Sequence, residues 1–303
     1  MNRPTATVAA MPAPGYEERR FSASDGLVLA YRVYGPPLTR GPAVLCLPGL
    51  TRNAKDFDDL ALRLAGQGRR VVCPDYRGRG RSAHDRNWRN YRPEVYVADL
   101  VQLMTIEGLT RTVVIGTSMG GLLTLGLAVA RPAALVAAVL NDIGPDLEPA
   151  GVARILDYVG RDHPQPDWAN AVAHIKSTYP HLGYDRDEQW LKLARSTFRE
   201  GEDGWLHVDW DTALARPLRQ DGPRPDLWPL FRALGRRPVL VVRGGCSDVL
   251  SEAGLARMIA AKPDLMHVTL PGVAHAPTLD EPAALEAIDA LFARLDRDTA
   301  ADF

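Results

Sequence analysis

A series of short apolar runs, Ala43 to Leu47, Arg70 to Cys73, Thr112 to Ile115, Leu135 to Leu140, Pro238 to Val242 and Met266 to Leu270, constrains this chain more than any other feature. Most of them lack polar alternation, as strands covered on both faces of a parallel sheet do. Segments with helical spacing stand between them. Ala54, Phe57, Leu60, Ala61 and Leu64 recur at that spacing before Gly66 and Gly68, which marks an amphipathic helix ended by glycine. Further helices are expected from about Pro93 to Glu107, up to about Ala130, from Ser251 to Ala260 and from Pro282 to Leu295. Such alternation predicts right-handed crossovers and an α/β fold with a mostly parallel, doubly wound sheet. Phe21 to Gly35 adds two apolar-rich arms around Asp25-Gly26, a hairpin signal, so the sheet should open with antiparallel strands.

The alternation breaks after Asn141-Asp142-Ile143-Gly144-Pro145. From there to about Trp228 the chain is rich in Pro and Asp, has helical segments but no clear buried strand, and carries five of the six tryptophans, Trp168, Trp190, Trp205, Trp210 and Trp228. An inserted helical cap domain is the reading. A cap over a sheet edge forms an apolar pocket and excludes water, so some of these tryptophans are expected to face the site while most build the core of the cap. The expected layout is a flexible tail over 1–20, a first part of the core over 21–144, the cap over 145–232 and the rest of the core over 233–303.

Composition narrows the function. With 303 residues, 46% of them hydrophobic, the chain can bury one large core with an insertion. Its 36 basic and 37 acidic residues give no electrostatic reason to expect nucleic acid or an anionic membrane as partner. Only Lys55, Lys176, Lys192 and Lys262 are lysines, a bias typical of a GC-rich, bacterial coding sequence. Cys46, Cys73 and Cys246 lie far apart without ligand or disulfide spacing and read as reduced thiols, which favours the cytoplasm. Met1 to Pro14 has no apolar block of secretory type, and no apolar stretch is long enough to span a membrane.

The chemistry is concentrated at Val113-Val114-Ile115-Gly116-Thr117-Ser118-Met119-Gly120-Gly121, where a buried strand runs into Gly-x-Ser-x-Gly and then a helix. This is the pattern of a nucleophile elbow, with the serine on a strained turn above the sheet edge. A serine nucleophile needs a base, and the base needs a carboxylate to fix its tautomer. Loops at strand ends supply both: Asp248 follows the strand Pro238 to Val242, and His275 follows the last strand. Asp142, also at a strand end, is the rival acid, read instead as an Asx-type turn before Gly144-Pro145.

Together these segments resemble the α/β-hydrolase superfamily, in particular its bacterial serine esterase and lactonase-like branch with a helical cap. The elbow, the Pro48-Gly49-Leu50 loop, the Asp75-Tyr76-Arg77-Gly78-Arg79-Gly80-Arg81-Ser82 segment and the acid and histidine loops carry the likeness. The resemblance implies Ser118 as nucleophile, His275 as general base and then acid, and Asp248 as the orienting carboxylate. The backbone N–H groups of Met119 and Leu50 are the expected oxyanion hole. Hydrolysis of a small or medium, largely apolar carboxylic ester or lactone follows, with no cofactor. C–C hydrolysis of a ring-fission product by the same triad is the alternative, and a non-enzymatic ligand sensor on the same fold comes after it. Epoxide and haloalkane hydrolases place Asp where this chain has Ser118. His84, His163, His174, His181, His207 and His267 show no metal spacing and are expected to be solvated or structural, so no metal is expected. Arg77, Arg79 and Arg81 are expected to lie in a solvated loop with ion pairs.

Overall fold

The computed structural model describes residues 15–39, 41–179, 181–219 and 225–301. The tail expected over residues 1–14 lies outside them. Its last expected residues do not belong to a tail, because the first strand, β1 (Tyr16–Ser22), pairs along its whole length with β2 (Val28–Tyr34) around the Asp25-Gly26 turn. The chain continues through β3 (Ala43–Leu47), α1 (Asp58–Gly66), β4 (Val71–Pro74), α2 (Pro93–Ile106), β5 (Thr112–Thr117), α3 (Met119–Ala130) and β6 (Leu135–Asn141). After the insert come β9 (Val239–Gly244), α9 (Glu252–Ala261), β10 (Met266–Leu270) and α10 (Pro282–Ala301).

These strands form one eight-stranded sheet in the order β1-β2-β4-β3-β5-β6-β9-β10. From β4 to β10 every pairing is parallel, and β2 joins β4 antiparallel. Side-chain alternation divides the core between the two faces. Val44, Cys46, Val113 and Ile115 meet Leu60 and Leu64 of α1 and Leu291 of α10 on one face. Leu45, Leu47 and Val114 meet Leu100 and Leu103 of α2 and Leu123 and Leu127 of α3 on the other. The direction of winding reverses between β3 and β5, and at such a switch point the strand ends part to leave a crevice.

The insert holds α4 (Pro149–Val159), α5 (Trp168–Thr178), α6 (Asp187–Thr197), β7 (Phe198–Glu200), β8 (Leu206–Val208), α7 (Ala215–Leu218) and α8 (Trp228–Arg232). It is mainly helical, as expected, but β7 and β8 form a short antiparallel hairpin. Three-residue strands leave no apolar run for sequence patterning to register. Backbone bonds tie the insert to the arginine-rich segment after β4, with Gly80 donating to the Asp209 carbonyl at 3.1 Å and Asp211 to the Gly78 carbonyl at 2.7 Å. Cys46, Cys73 and Cys246 are unbridged. Among the described residues no helix is long and apolar enough to cross a membrane.

Candidate active site

The strand β5 stops at Thr117 and α3 starts at Met119, leaving Ser118 alone at the turn with φ 52° and ψ −116°. A side chain other than hydrogen at Gly120 would place its Cβ 2.0 Å from the Leu47 carbonyl oxygen, and one at Gly116 would lie 2.4 Å from the Gly120 backbone. The glycines are thus what allow helix and sheet to approach closely enough to force the turn. Ser118 sits at the switch point, beside the loop that follows β3: a Cβ on Gly49 would come within 3.9 Å of Ser118 Cβ. The N–H groups of Leu50 and Met119 donate to no acceptor among the described residues, while the neighbouring turns are well bonded.

His275 Nε2 lies 2.9 Å from Ser118 Oγ, and His275 Nδ1 lies 2.7 Å from Asp142 Oδ2. The carboxylate beside the histidine is therefore that of Asp142, and the expectation for Asp248 is corrected. Register explains the choice. In the parallel pairing of β5 with β6, Thr117 stands opposite Asn141 and Ser118 N–H donates to the Asn141 carbonyl at 3.0 Å, so the next residue on β6 is next to the elbow. Asp142 is wholly buried and takes a left-handed φ of 56°, a conformation Asp tolerates. Its Oδ1 accepts the Gly244 N–H at 2.9 Å, so both carboxylate oxygens are used. The Asx-type turn expected for it is replaced by these longer-range bonds.

Asp248 instead forms a bidentate pair with Arg154 of α4, at 2.6 and 2.8 Å. The Arg154 guanidinium holds its carboxyl below the usual range, against the opposing effect of partial burial. The histidine loop reaches across β9 because Gly244 has no side chain; a Cβ there would lie 2.7 Å from the Val273 carbonyl oxygen and 2.8 Å from that of Ala274. Ala274 N–H donates to the His181 carbonyl at 2.7 Å, which pins this loop to the insert.

A cavity of about 330 Å³ opens above Ser118 and His275, between the loop after β3 and the insert. Leu50, Ile155, Leu182 and Leu193 supply apolar wall, and Tyr158, Tyr179 and Tyr184 supply phenols. Burial pushes the Tyr179 and Tyr184 hydroxyls up, so both remain neutral donors at ordinary pH. The expected tryptophans are absent from this wall. They pack elsewhere: Trp190 lies edge-on to Tyr184 at 5.0 Å, and the indoles of Trp210 and Trp228 donate to the Val159 carbonyl and to Asp146. Arg52 lines the cavity, pairs with Asp56 at 2.7 and 2.6 Å and reaches Ser196 and Thr197 at the end of α6, joining core loop and insert.

The arginine run does not form the solvated loop expected of it. Arg81 is exposed and meets Glu18 at 3.0 Å, whereas Arg77 and Arg79 are 1% and 0% exposed. Arg77 is held by Asp25, Asp85 and Asp99, and Arg79 faces the back of the elbow. Among the remaining histidines, His207 stands between Asp162 at 2.6 Å and Asp203 at 3.1 Å on the β8 hairpin.

Comparison with known proteins agrees with this architecture. Residues 44–288 match the alpha/beta hydrolase family. The chain is 38% identical over 269 residues to the 3-hydroxybutyrate-oligomer hydrolase of Cupriavidus necator, covering 85% of this chain and 90% of that protein. It is 28% identical to the 2-(acetamidomethylene)succinate hydrolase of Mesorhizobium japonicum, covering 78% of this chain and 82% of that one. The crystal structure of an alpha/beta hydrolase from Novosphingobium aromaticivorans superposes with a TM-score of 0.87 at 46% identity, covering 94% of this chain and 100% of that chain. With a matching fold and a matching sequence along most of its length, this chain belongs to the alpha/beta hydrolase family.

Proposed function

We propose that this protein is a serine hydrolase that cleaves a small carboxylic ester through an acyl-enzyme on Ser118, with short esters of hydroxy acids as its first candidate substrates. The observation that carries this reading is the unbroken chain Ser118–His275–Asp142, at 2.9 and 2.7 Å, below a cavity. With the Nδ1 proton donated to Asp142, the neutral imidazole presents Nε2 to accept the serine proton. Ser118 Oγ attacks the ester carbonyl as His275 takes that proton. The oxygen that becomes negative accepts the free N–H groups of Leu50 and Met119, and the start of α3 adds favourable potential. Collapse expels the alcohol, which takes the proton from His275, and water deacylates the enzyme by the same route in reverse. Asp142 serves in place of Asp248 as the orienting carboxylate.

The substrate class rests on the wall of the cavity and on kinship. A volume of about 330 Å³ suits a small guest, and the phenols of Tyr158, Tyr179 and Tyr184 offer donors to a second carbonyl or hydroxyl beyond the scissile bond. An oligoester of a hydroxy acid has such oxygens, and the relative from Cupriavidus necator is named for hydrolysing one. A simple apolar ester has none. The insert acts as a cap that completes the pocket.

The test measures turnover of p-nitrophenyl butyrate, a lactone, a dienoate ring-fission product and the dimer of 3-hydroxybutyrate by wild type and Ser118→Ala, with fluorophosphonate labelling alongside. The expected result is preference for the hydroxy-acid dimer over butyrate, labelling at Ser118, and loss of both in the variant. Full activity in Ser118→Ala would refute the mechanism, and faster turnover of the dienoate would move the chemistry to C–C cleavage.

A further inference from the structure

Arg79 is a wholly buried guanidinium with no carboxylate within ion-pairing distance among the described residues. Its neighbours differ: Arg77 has Asp25, Asp85 and Asp99, and Arg81 has Glu18. Gly78 and Gly80, with φ of 74° and 55°, turn the backbone on either side of Arg79 so that its side chain enters the core. There Nε donates to the Leu50 carbonyl at 2.6 Å, Nη1 donates to the Arg77 carbonyl at 2.9 Å and to the Tyr96 hydroxyl at 3.1 Å, and Nη2 lies 3.8 Å from Met119 Sδ. The rings of Tyr76 and Tyr96 lie against it at 5.4 and 4.8 Å. Carbonyl dipoles and ring faces offset only part of the cost of desolvating a cation. A neutral residue of the same length would avoid that cost.

The two residues that Arg79 joins from behind, Leu50 and Met119, are the ones whose N–H groups lack protein acceptors beside Ser118. We propose that Arg79 is the positioning residue of the oxyanion hole: it fixes both donors and sets an uncompensated positive charge behind them. The bond to the Leu50 carbonyl anchors the Leu50–Thr51 peptide plane and so restrains the loop that carries the Leu50 N–H. The Met119 contact seats the first residue of α3. In the ground state the ester oxygen carries little charge and gains little from the cation. In the tetrahedral state it carries a full charge, so the stabilisation is differential and belongs to kcat. Arg79 does not line the cavity, so substrate affinity is not its task. The inference rests on the serine-hydrolase reading above.

The test uses Arg79→Met, which keeps length without charge, and Arg79→Lys, which keeps charge without the planar fork. Each is compared with wild type for kcat and KM on an ester substrate, for fluorophosphonate labelling of Ser118, and for affinity to a trifluoromethyl ketone that forms an oxyanion adduct, with the methyl ketone as neutral control. Arg79→Met is expected to lower kcat about 30- to 300-fold with KM held within about threefold, as loss of oxyanion stabilisation does. Trifluoromethyl ketone affinity should fall in step, methyl ketone affinity should hold, and Arg79→Lys should recover part of kcat. A folded Arg79→Met with wild-type kcat and labelling rate overturns the proposal, as does a loss confined to KM. If Arg79→Met does not fold, Arg79→Lys decides by the same split: reduced kcat at constant KM supports the role, and unchanged kcat overturns it. Wild type that neither labels nor turns over esters refutes the hydrolase reading itself, whereas labelled, active wild type with indifferent Arg79 variants refutes only this role.

Discussion

Replacing Asp142 by Asn separates the two carboxylates that the fold brings near His275. The amide is nearly isosteric, but its two ends differ, and the surroundings choose between them. Gly244 N–H points at Oδ1 from 2.9 Å and needs an acceptor there, so the amide oxygen takes that side and the NH2 group faces His275. His275 Nδ1, 2.7 Å away, must then accept rather than donate, and its proton moves to Nε2. In that tautomer Nε2 has no lone pair for the Ser118 proton 2.9 Å away. Loss of the correct tautomer in a Ser-His-Asp triad costs about 10⁴-fold in kcat, or about 5 kcal/mol of barrier. Asp248→Asn removes a half-exposed ion pair with Arg154 and no contact to the histidine, so its effect on kcat should stay within about threefold and on stability within about 1 kcal/mol. Initial rates on p-nitrophenyl butyrate near neutral pH, with thermal melting as a folding control, measure both. The reasoning fails if Asp248→Asn loses a hundredfold or more while Asp142→Asn stays near wild type.

Gly244→Ala should displace the histidine loop, because the new Cβ lies 2.7 and 2.8 Å from carbonyl oxygens that cannot yield without moving His275. Overpacking of this kind costs about 1–3 kcal/mol, and the accompanying misplacement should lower kcat tenfold or more; a melting curve and an ester assay read the two effects. On the hairpin, hydrogen bonds to Asp162 and then Asp203 hold the His207 pKa above its ordinary value, and partial desolvation opposes them only weakly. Its contribution to stability is therefore complete below about pH 6.5, the unfolded value, and is lost as pH rises through the higher folded one. The melting-temperature gap between wild type and His207→Gln should be widest near pH 6 and shrink toward pH 9; a gap that widens with pH would contradict the assignment.

What the sequence disclosed about this site followed the range of each constraint. The elbow was legible because its requirements are local: Gly116 and Gly120 are dictated by atoms of the adjoining strand and helix, and the serine stands between them. The sheet was legible because two-sided burial removes polar residues from β3 and from the middle of β5 and β6. The acid was not, because Asp142 and Asp248 both follow parallel strands, and the choice depends on which strand lies next to β5. Chain order put β9 forward, whereas spatial order puts β6 there, and the Asn141–Asp142 pair at its end was the available signal. Burial of Arg77 and Arg79 was hidden for a related reason, since the carboxylates, carbonyls and rings that receive them come from distant segments. The tryptophans misled by size alone: the indoles of Trp210 and Trp228 found acceptors inside the insert, and smaller phenols were left to face the cavity. A pocket with phenols on its wall can reward an oxygen-bearing acyl group where indoles would reward only area. The preference for a hydroxy-acid ester over butyrate therefore tests the wall of the pocket separately from the triad beneath it.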